Sequence, residues 1–243
     1  MSFVPLTCPL SVNENLKSLL SPLPSVSLIL TDNRIDGVIP NTLQNLSKLD
    51  TLVLSQNSIL ATLPTEIGLL QSLTLLSLAS NYISGALPSE IGNLINLRSL
   101  RLNVNALVGT LPTELGNVTD LTLIDMSQNF LSGSLPSQLG DLQKLTELDL
   151  SLNSFTGSVP SMLGELVSLE KLDLSSNNMT GTVPIQLWQA HIKEILFVNN
   201  SLTGSVPDFV CTSLKDMNGL LVVDCDQITC ECCLCGTTTT SKR

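Results

Sequence analysis

The residues with the most reactive chemistry in this 243-residue chain are its seven cysteines, and they are not spread evenly. Cys211, Cys225, Cys230, Cys232, Cys233 and Cys235 crowd towards the C-terminus, and Cys8 alone lies elsewhere. Three chemistries fit such a cluster. Oxidised, six thiols staple a small terminal cap through disulfides of open connectivity. Reduced, Cys230/Cys233 and Cys232/Cys235 both have the C-x-x-C spacing of zinc ligands. These pairs overlap, whereas zinc ribbons keep them apart. The same spacing serves thiol–disulfide exchange, but no βαβ pattern surrounds it here. The terminal position favours the disulfide cap. His191 is the single histidine. A hydrolytic triad needs a base beside a nucleophile and an orienting acid, and no motif selects such partners for it. No Gly-rich phosphate loop with Lys and no kinase motif occurs either. The expectation is a chain that is not an enzyme and needs no cofactor or metal.

Charge narrows the partners. Eleven Lys and Arg oppose 21 Asp and Glu, for a formal net charge of −10. A nucleic-acid binder needs a basic stripe, so no nucleic-acid partner is expected. No apolar stretch approaches the roughly 18 residues of a membrane helix, so none is expected in this chain. The N-terminus has no basic region ahead of an apolar run, so no secretory signal is read there. Aromatics make up 3% of the chain while hydrophobic residues reach 43%. A core of branched aliphatics without large aromatic fillers implies many small equivalent slots.

Those slots have a period. Asn33, Asn57, Asn81, Asn105, Asn129, Asn153 and Asn177 follow at steps of 24, and Asn200 at a step of 23. Pro40, Pro64, Pro88, Pro112, Pro136, Pro160, Pro184 and Pro207 run in parallel. Gly recurs from Gly37 to Gly204, with Ala61 in its place in the second unit. A fixed period in this range marks a solenoid. Leu148-Asp149-Leu150 alternates as a strand with its leucines inward. Asn153 closes the strand, and its amide both donates and accepts, so stacked copies form a ladder. Phe155 points inward, Gly157 permits a left-handed bend, and Leu163, Leu166 and Leu169 suit a short 3-10 segment. The seventh unit is one residue short around Leu187–Ile192, and Trp188 is expected to fill the convex gap there.

Open solenoid ends need caps. Ser11-x-x-Glu14 is a capping box, and Leu16, Leu19, Leu20 and Leu23 share one helical face, so a capping helix is expected over 12–21. At the back, Leu220-x-Val222-x-x-Cys225 repeats the strand spacing. It predicts a ninth strand with Cys225 in the ladder position.

The unit Leu-x-Leu-x-x-Asn-x-Leu-x-Gly-x-Leu/Val-Pro-x-x-Leu-Gly-x-Leu resembles the plant-type leucine-rich repeat over about residues 28–207. That class includes receptor-like kinase ectodomains, receptor-like proteins and polygalacturonase inhibitors. The resemblance implies an α/β fold: a right-handed, L-domain-like solenoid of eight 24-residue repeats with a helical N-cap and a Cys-rich C-cap. It also implies a second short strand around Gly-x-Leu-Pro and a superhelical twist. The expected organisation is an N-terminal cap at 1–27, repeats at 28–207, a Cys-rich cap at 208–236 and a flexible tail at 237–243. The paired-cysteine, Trp-containing N-cap usual in these ectodomains is missing around Cys8. The chain therefore reads as a piece of a longer, membrane-anchored protein. A protein or peptide ligand on the concave face is implied, with a receptor-like or secreted role outside the cell or at its surface. Enzyme inhibition or a structural cell-surface role are the alternatives.

Stacking places outward strand residues in columns. One runs Ile29, Val53, Ser77, Arg101, Asp125, Asp149, Asp173 and Leu196. Glu147, Lys171 and Glu194 stand on one side of it, and Ser127, Ser151, Ser175 and Val198 on the other. Leu152, Leu196 and Val198 add apolar surface towards the back. The acidic row suits a basic peptide or a cation, although Leu-Asp-Leu-Ser is also the common strand sequence of this repeat. Four Asn-x-Ser/Thr sequons occur, at Asn45, Asn117, Asn178 and Asn199. In a secreted protein these are glycosylation sites.

Overall fold

The computed structural model describes residues 27–190 and 192–236. The expected capping helix over 12–21, Cys8, His191 and the tail from 237 lie outside the described residues. Each repeat begins with a short strand, the first being Ser27–Ile29 and the eighth Glu194–Leu196. All run parallel in one sheet. Leu220–Val223 and Leu234–Cys235 extend that sheet to ten strands. The ninth strand was expected from spacing and the tenth was not.

The inward residues build one continuous core. In the sixth rung these are Leu148, Leu150, Phe155, Val159, Leu163, Leu166 and Leu169, all buried. Each fully buried aliphatic side chain contributes about 1.5–3 kcal/mol, and the rung-to-rung repetition makes that contribution additive along the axis. On the convex side, Pro starts each crossing in an extended conformation and a five-residue 3-10 segment follows, as in Thr113–Asn117. The seventh unit differs: Ile185–Gln189 forms an α-helix, α1. An α-helix rises about 1.5 Å per residue against about 2.0 Å for a 3-10 helix, so the short unit packs differently from its neighbours. Trp188 is buried there, edge-on to Phe197 with ring centroids 6.4 Å apart.

The second strand of each repeat lies earlier than the Gly-x-Leu-Pro segment. From the fourth repeat on it contains the inward residue after the ladder Asn and runs to the Gly or just past it, as in Ser154–Gly157. Gly157 has φ +77°, which breaks the extended backbone, and Pro160 offers no N–H for a ladder. From Ser84–Gly85 to Ile228–Thr229 these strands form a seven-stranded lateral sheet. The first two, Asp36–Gly37 and Ser58–Ile59, pair separately. The break falls at Ala61, which lacks the positive φ of the repeat glycines. A Cβ disfavours that left-handed bend.

One further repeated position is strained. The residue before each ladder Asn is left-handed from Gln56 through Ser80, Val104, Gln128, Leu152 and Ser176 to Asn199. Val104, at φ +57°, is β-branched and exposed. Left-handed backbone costs an L-residue about 1–2 kcal/mol, and Asn tolerates it best among non-glycines. Val104→Asn is therefore expected to stabilise the protein by about 1 kcal/mol in urea denaturation. A loss of stability would show that the Val104 side chain makes a compensating contact.

Candidate functional site

The concave site rests on the ladder beneath it. Asn129 is buried; its Nδ2 donates to the carbonyls of Leu102, Met126 and Ser127 at 3.0, 3.1 and 3.2 Å. Its Oδ1 accepts the Leu107 N–H at 3.0 Å. Asn57, Asn81, Asn105, Asn153, Asn177 and Asn200 repeat this pattern. Asn33, at the front, donates only to the nearby Thr31 carbonyl among the described residues. At the back, the expectation for Cys225 is corrected. Asp224 holds the ladder end, with Oδ1 and Oδ2 each accepting at 3.0 Å from the Asn199 and Asn200 N–H groups. The register shifts with it: Leu221 pairs with Ile195 and is buried with Val223, so Leu220 and Val222 fall in the outward rows. The sequence spacing missed this because the terminal rung turns straight after Val223 and carries no Leu-x-x-Asn extension. Asp224, two residues after Val222, was the available signal.

Backbone pairing aligns the outward columns as the sequence spacing implied. Arg101, Asp125, Asp149, Asp173, Leu196 and Val222 are successive partners across six strands. Beside them run Leu123, Glu147, Lys171, Glu194 and Leu220. Each Asp is held by the Ser two residues on. Ser127, Ser151 and Ser175 donate through Oγ to Oδ1 of Asp125, Asp149 and Asp173 at 2.7, 2.7 and 2.6 Å. Their N–H groups donate to the same oxygen. Among the described residues no hydrogen bond reaches the three Oδ2 atoms. The row is thus a line of oriented carboxyl groups spaced by one strand, about 4.8 Å.

Its electrostatics are those of an unpaired acidic strip. Burial raises the pKa of Asp125 and Asp173; the serine hydrogen bonds pull the other way, and Asp149 adds repulsion to both. Lys171 donates to Glu147 Oε1 at 3.2 Å. Burial acts to lower the Lys171 pKa, but that hydrogen bond and the charges of Glu147, Glu194 and Asp149 outweigh it, so the net shift is upward. Lys171 therefore pairs with Glu147, and its charge offsets the burial of Asp173 only in part. The fold binds the Asp125 and Asp173 protons more tightly than the unfolded chain does. The resulting destabilisation is full above the folded pKa and disappears below the unfolded value of about 3.9. Asp173→Asn, which keeps an acceptor for Ser175, is expected to match or exceed the wild-type stability at neutral pH. It should also lose part of the gain that the wild type shows as pH falls through that window. Urea midpoints at two pH values check this, and a neutral-pH loss above about 1 kcal/mol would refute it.

The apolar residues divide. Leu196 is half-buried in the row itself. Val198 packs so closely under Gly236 that a Cβ on Gly236 would collide with it. Leu152 is exposed but lies past the strand end, in the left-handed turn. Arg101 is exposed at the front of the row.

The cysteines close the back of this surface. Cys211 bonds Cys232, Cys225 bonds Cys235 and Cys230 bonds Cys233. The first ties helix α2 (Asp208–Met217), which buries Val210 and Leu214 against the last rungs, to the terminal segment. The second holds the tenth strand, Leu234–Cys235, beside Val222 and Val223. Among the sequons, Asn45 and Asn117 are exposed at the ends of convex 3-10 segments. Asn178 is exposed on the lateral sheet, and Asn199 is exposed in the turn at the ladder end. Among the described residues, no helix is long and apolar enough to cross a membrane.

A ten-stranded parallel sheet on an asparagine ladder, with short crossings behind it, defines a leucine-rich-repeat protein. The family model for the leucine-rich repeat region matches residues 28–224, and the chain belongs to that family. No curated protein matches the sequence. Among solved structures, the chain is similar to the plant peptide hormone receptor RGFR1 in complex with RGF2. The identity is 30% and the TM-score 0.78, over 84% of this chain and 36% of that one. It is also similar to the Arabidopsis receptor kinase HAESA in complex with the peptide hormone IDA and the co-receptor SERK1. There the identity is 33% and the TM-score 0.73, over 75% and 31% of the two chains. A plant ice-binding protein is similar at 25% identity and TM-score 0.59, over 76% and 68%. This chain thus spans about a third of the length of the receptor structures.

Proposed function

We propose that this chain is a non-catalytic peptide-recognition module of a receptor-like or secreted protein, working outside the cell or at its surface. The observation that carries the reading is the aligned concave row. Three serine-braced carboxyl groups, with Arg101 before them and Leu196 and Val222 after them, form one linear track on a rigid sheet. Similar solenoids were solved with peptide hormones bound. An extended peptide can lie along this track, across the strands, and the aspartates select Lys or Arg side chains, which pair well with carboxylates. Its apolar end would rest on Leu196 and Val222. The three disulfides suit an oxidising compartment. Glycans on Asn45 and Asn117 would project from the convex side and leave the track open.

Selection from a displayed random-peptide library tests this reading. Enrichment of peptides with spaced Lys or Arg, competed away by excess soluble protein, is the expected result. Enrichment of acidic or purely neutral sequences, or none at all, would overturn it.

A further inference from the structure

The lateral sheet carries a second kind of surface. Its seven strands, from Ser84–Gly85 to Ile228–Thr229, contain no Asp, Glu, Lys or Arg. In a chain of net charge −10 that is a sharply neutral face. Its back half is covered with hydroxyls: Thr156, Thr180, Thr182, Thr203, Ser205 and Thr229 are all exposed. Pairing places Thr182 opposite Thr203 and Ser205 opposite Thr229, one strand spacing apart.

This face runs into a cavity of about 240 Å³. Thr182, Thr203 and Ser205 line it together with Val183, Trp188 and Ile228. The cavity opens where the short seventh unit forms α1 instead of a 3-10 segment. Among the described residues, no charged one lines it. It is smaller than the roughly 300–1,000 Å³ of sites for drug-sized ligands, which suits a single ring. A purely apolar occupant would strip water from the hydroxyls without replacing their hydrogen bonds, which is costly. A charged occupant would meet no counter-charge. A sugar ring suits this mixed lining: its hydroxyls exchange hydrogen bonds with Thr and Ser, and its C–H groups rest on Val183 and the exposed edge of the buried Trp188.

We propose that the back half of the lateral sheet binds a neutral glycan, with one sugar ring seated in the Trp188 cavity and neighbouring sugars lying across the Thr and Ser rows. This site is separate from the concave track and does not depend on it. Free oligosaccharides and polymer chains share the required chemistry.

Trp188 is the single tryptophan of the chain, so intrinsic fluorescence reports the cavity directly. Protein made without N-glycans, which keeps Asn178 bare, would be titrated with neutral glucan, xylan, mannan and chitin oligosaccharides, and with polygalacturonate. Pull-down on the insoluble polymers would separate binding to chains from binding to free sugars. A saturable fluorescence change with at least one neutral glycan, and none with polygalacturonate, is expected. The Thr203→Val/Ser205→Ala variant, altered only at exposed side chains, should bind at least about tenfold more weakly, the loss of roughly one hydrogen bond's worth of free energy. The variant with Asp125, Asp149 and Asp173 all changed to Asn should bind as the wild type does. Absence of a saturable change with every neutral glycan would overturn the proposal. So would an equal response to polygalacturonate, or undiminished binding by a folded Thr203→Val/Ser205→Ala protein.

Discussion

Asn129→Ala is expected to destabilise the solenoid by about 3 kcal/mol, while Asn33→Ala should cost less than about 1 kcal/mol. Both remove the same side chain from the same repeat position. The difference lies in what each leaves behind. Without Asn129, the buried Leu107 N–H loses its acceptor, the Leu102 and Met126 carbonyls each lose one of two amide donors, and an unsatisfied buried group costs about 1–3 kcal/mol. Asn33 is only half-buried, at the open front of the ladder, and donates to a carbonyl two residues away. Urea denaturation of the two variants measures the contrast. Hydrogen exchange adds location, because a solenoid opens by neighbouring rungs: the Asn129 variant should lose protection around the fourth and fifth rungs. Equal costs for the two substitutions would show that the ladder contributes little.

The second large effect concerns the C-terminal end. Replacing Cys211 and Cys232 together with Ser is expected to cost about 3 kcal/mol, the loop-entropy value for a bridge of this span. The bond closes 21 residues and fastens α2 to the terminal segment. Its loss loosens the cover on Val210, Leu214, Leu221 and Val223, which are buried at the last rungs. Opening should therefore be polarised. Limited proteolysis is expected to nick residues beyond about Pro207 first, with the front rungs still protected. Cleavage spread evenly along the chain, or unchanged resistance, would contradict this role. The same variant should retain the fluorescence of Trp188 longer than the terminal protection, because Trp188 packs on Phe197 inside the repeats.

Most of the fold was legible because the repeat makes each rung a copy of the same physical problem. The Asn, Pro and Gly registers locate strands, turns and convex crossings without any long-range information. Reading failed where copying stops. At Leu220–Cys225 the leucine spacing pointed to Cys225, but the buried pair is Leu221 and Val223, and Asp224 satisfies the last N–H groups. A carboxylate serves there because the Asn199 and Asn200 N–H groups need acceptors, where in the preceding rung the Ser176 and Asn177 N–H groups bond backbone carbonyls of the next strand. The disulfide partners and the tenth strand depend on how a short, irregular segment folds back, and spacing does not encode that. Of the concave site, the alignment of Arg101, Asp125, Asp149 and Asp173 followed from the period. The serine braces and the burial of the row, partial for Asp125 and Asp149 and near-complete for Asp173, come from side-chain geometry. Val198 belonged to an outward column by spacing, yet the returning segment at Gly236 covers it. The neutral lateral face was also written in the strands, as an absence of charge rather than as a motif.

The proposed peptide recognition rests on the charge of the aspartate row. The most direct measurement is the dissociation constant of a library-selected Lys- or Arg-containing peptide for two proteins: the wild type and the variant with Asp125, Asp149 and Asp173 changed to Asn. The variant keeps the serine acceptors and the fold, so only the charge changes. The variant is expected to bind about a hundredfold more weakly at low salt, with the gap narrowing as salt rises. Equal affinity for both proteins would contradict it and move the peptide off this row.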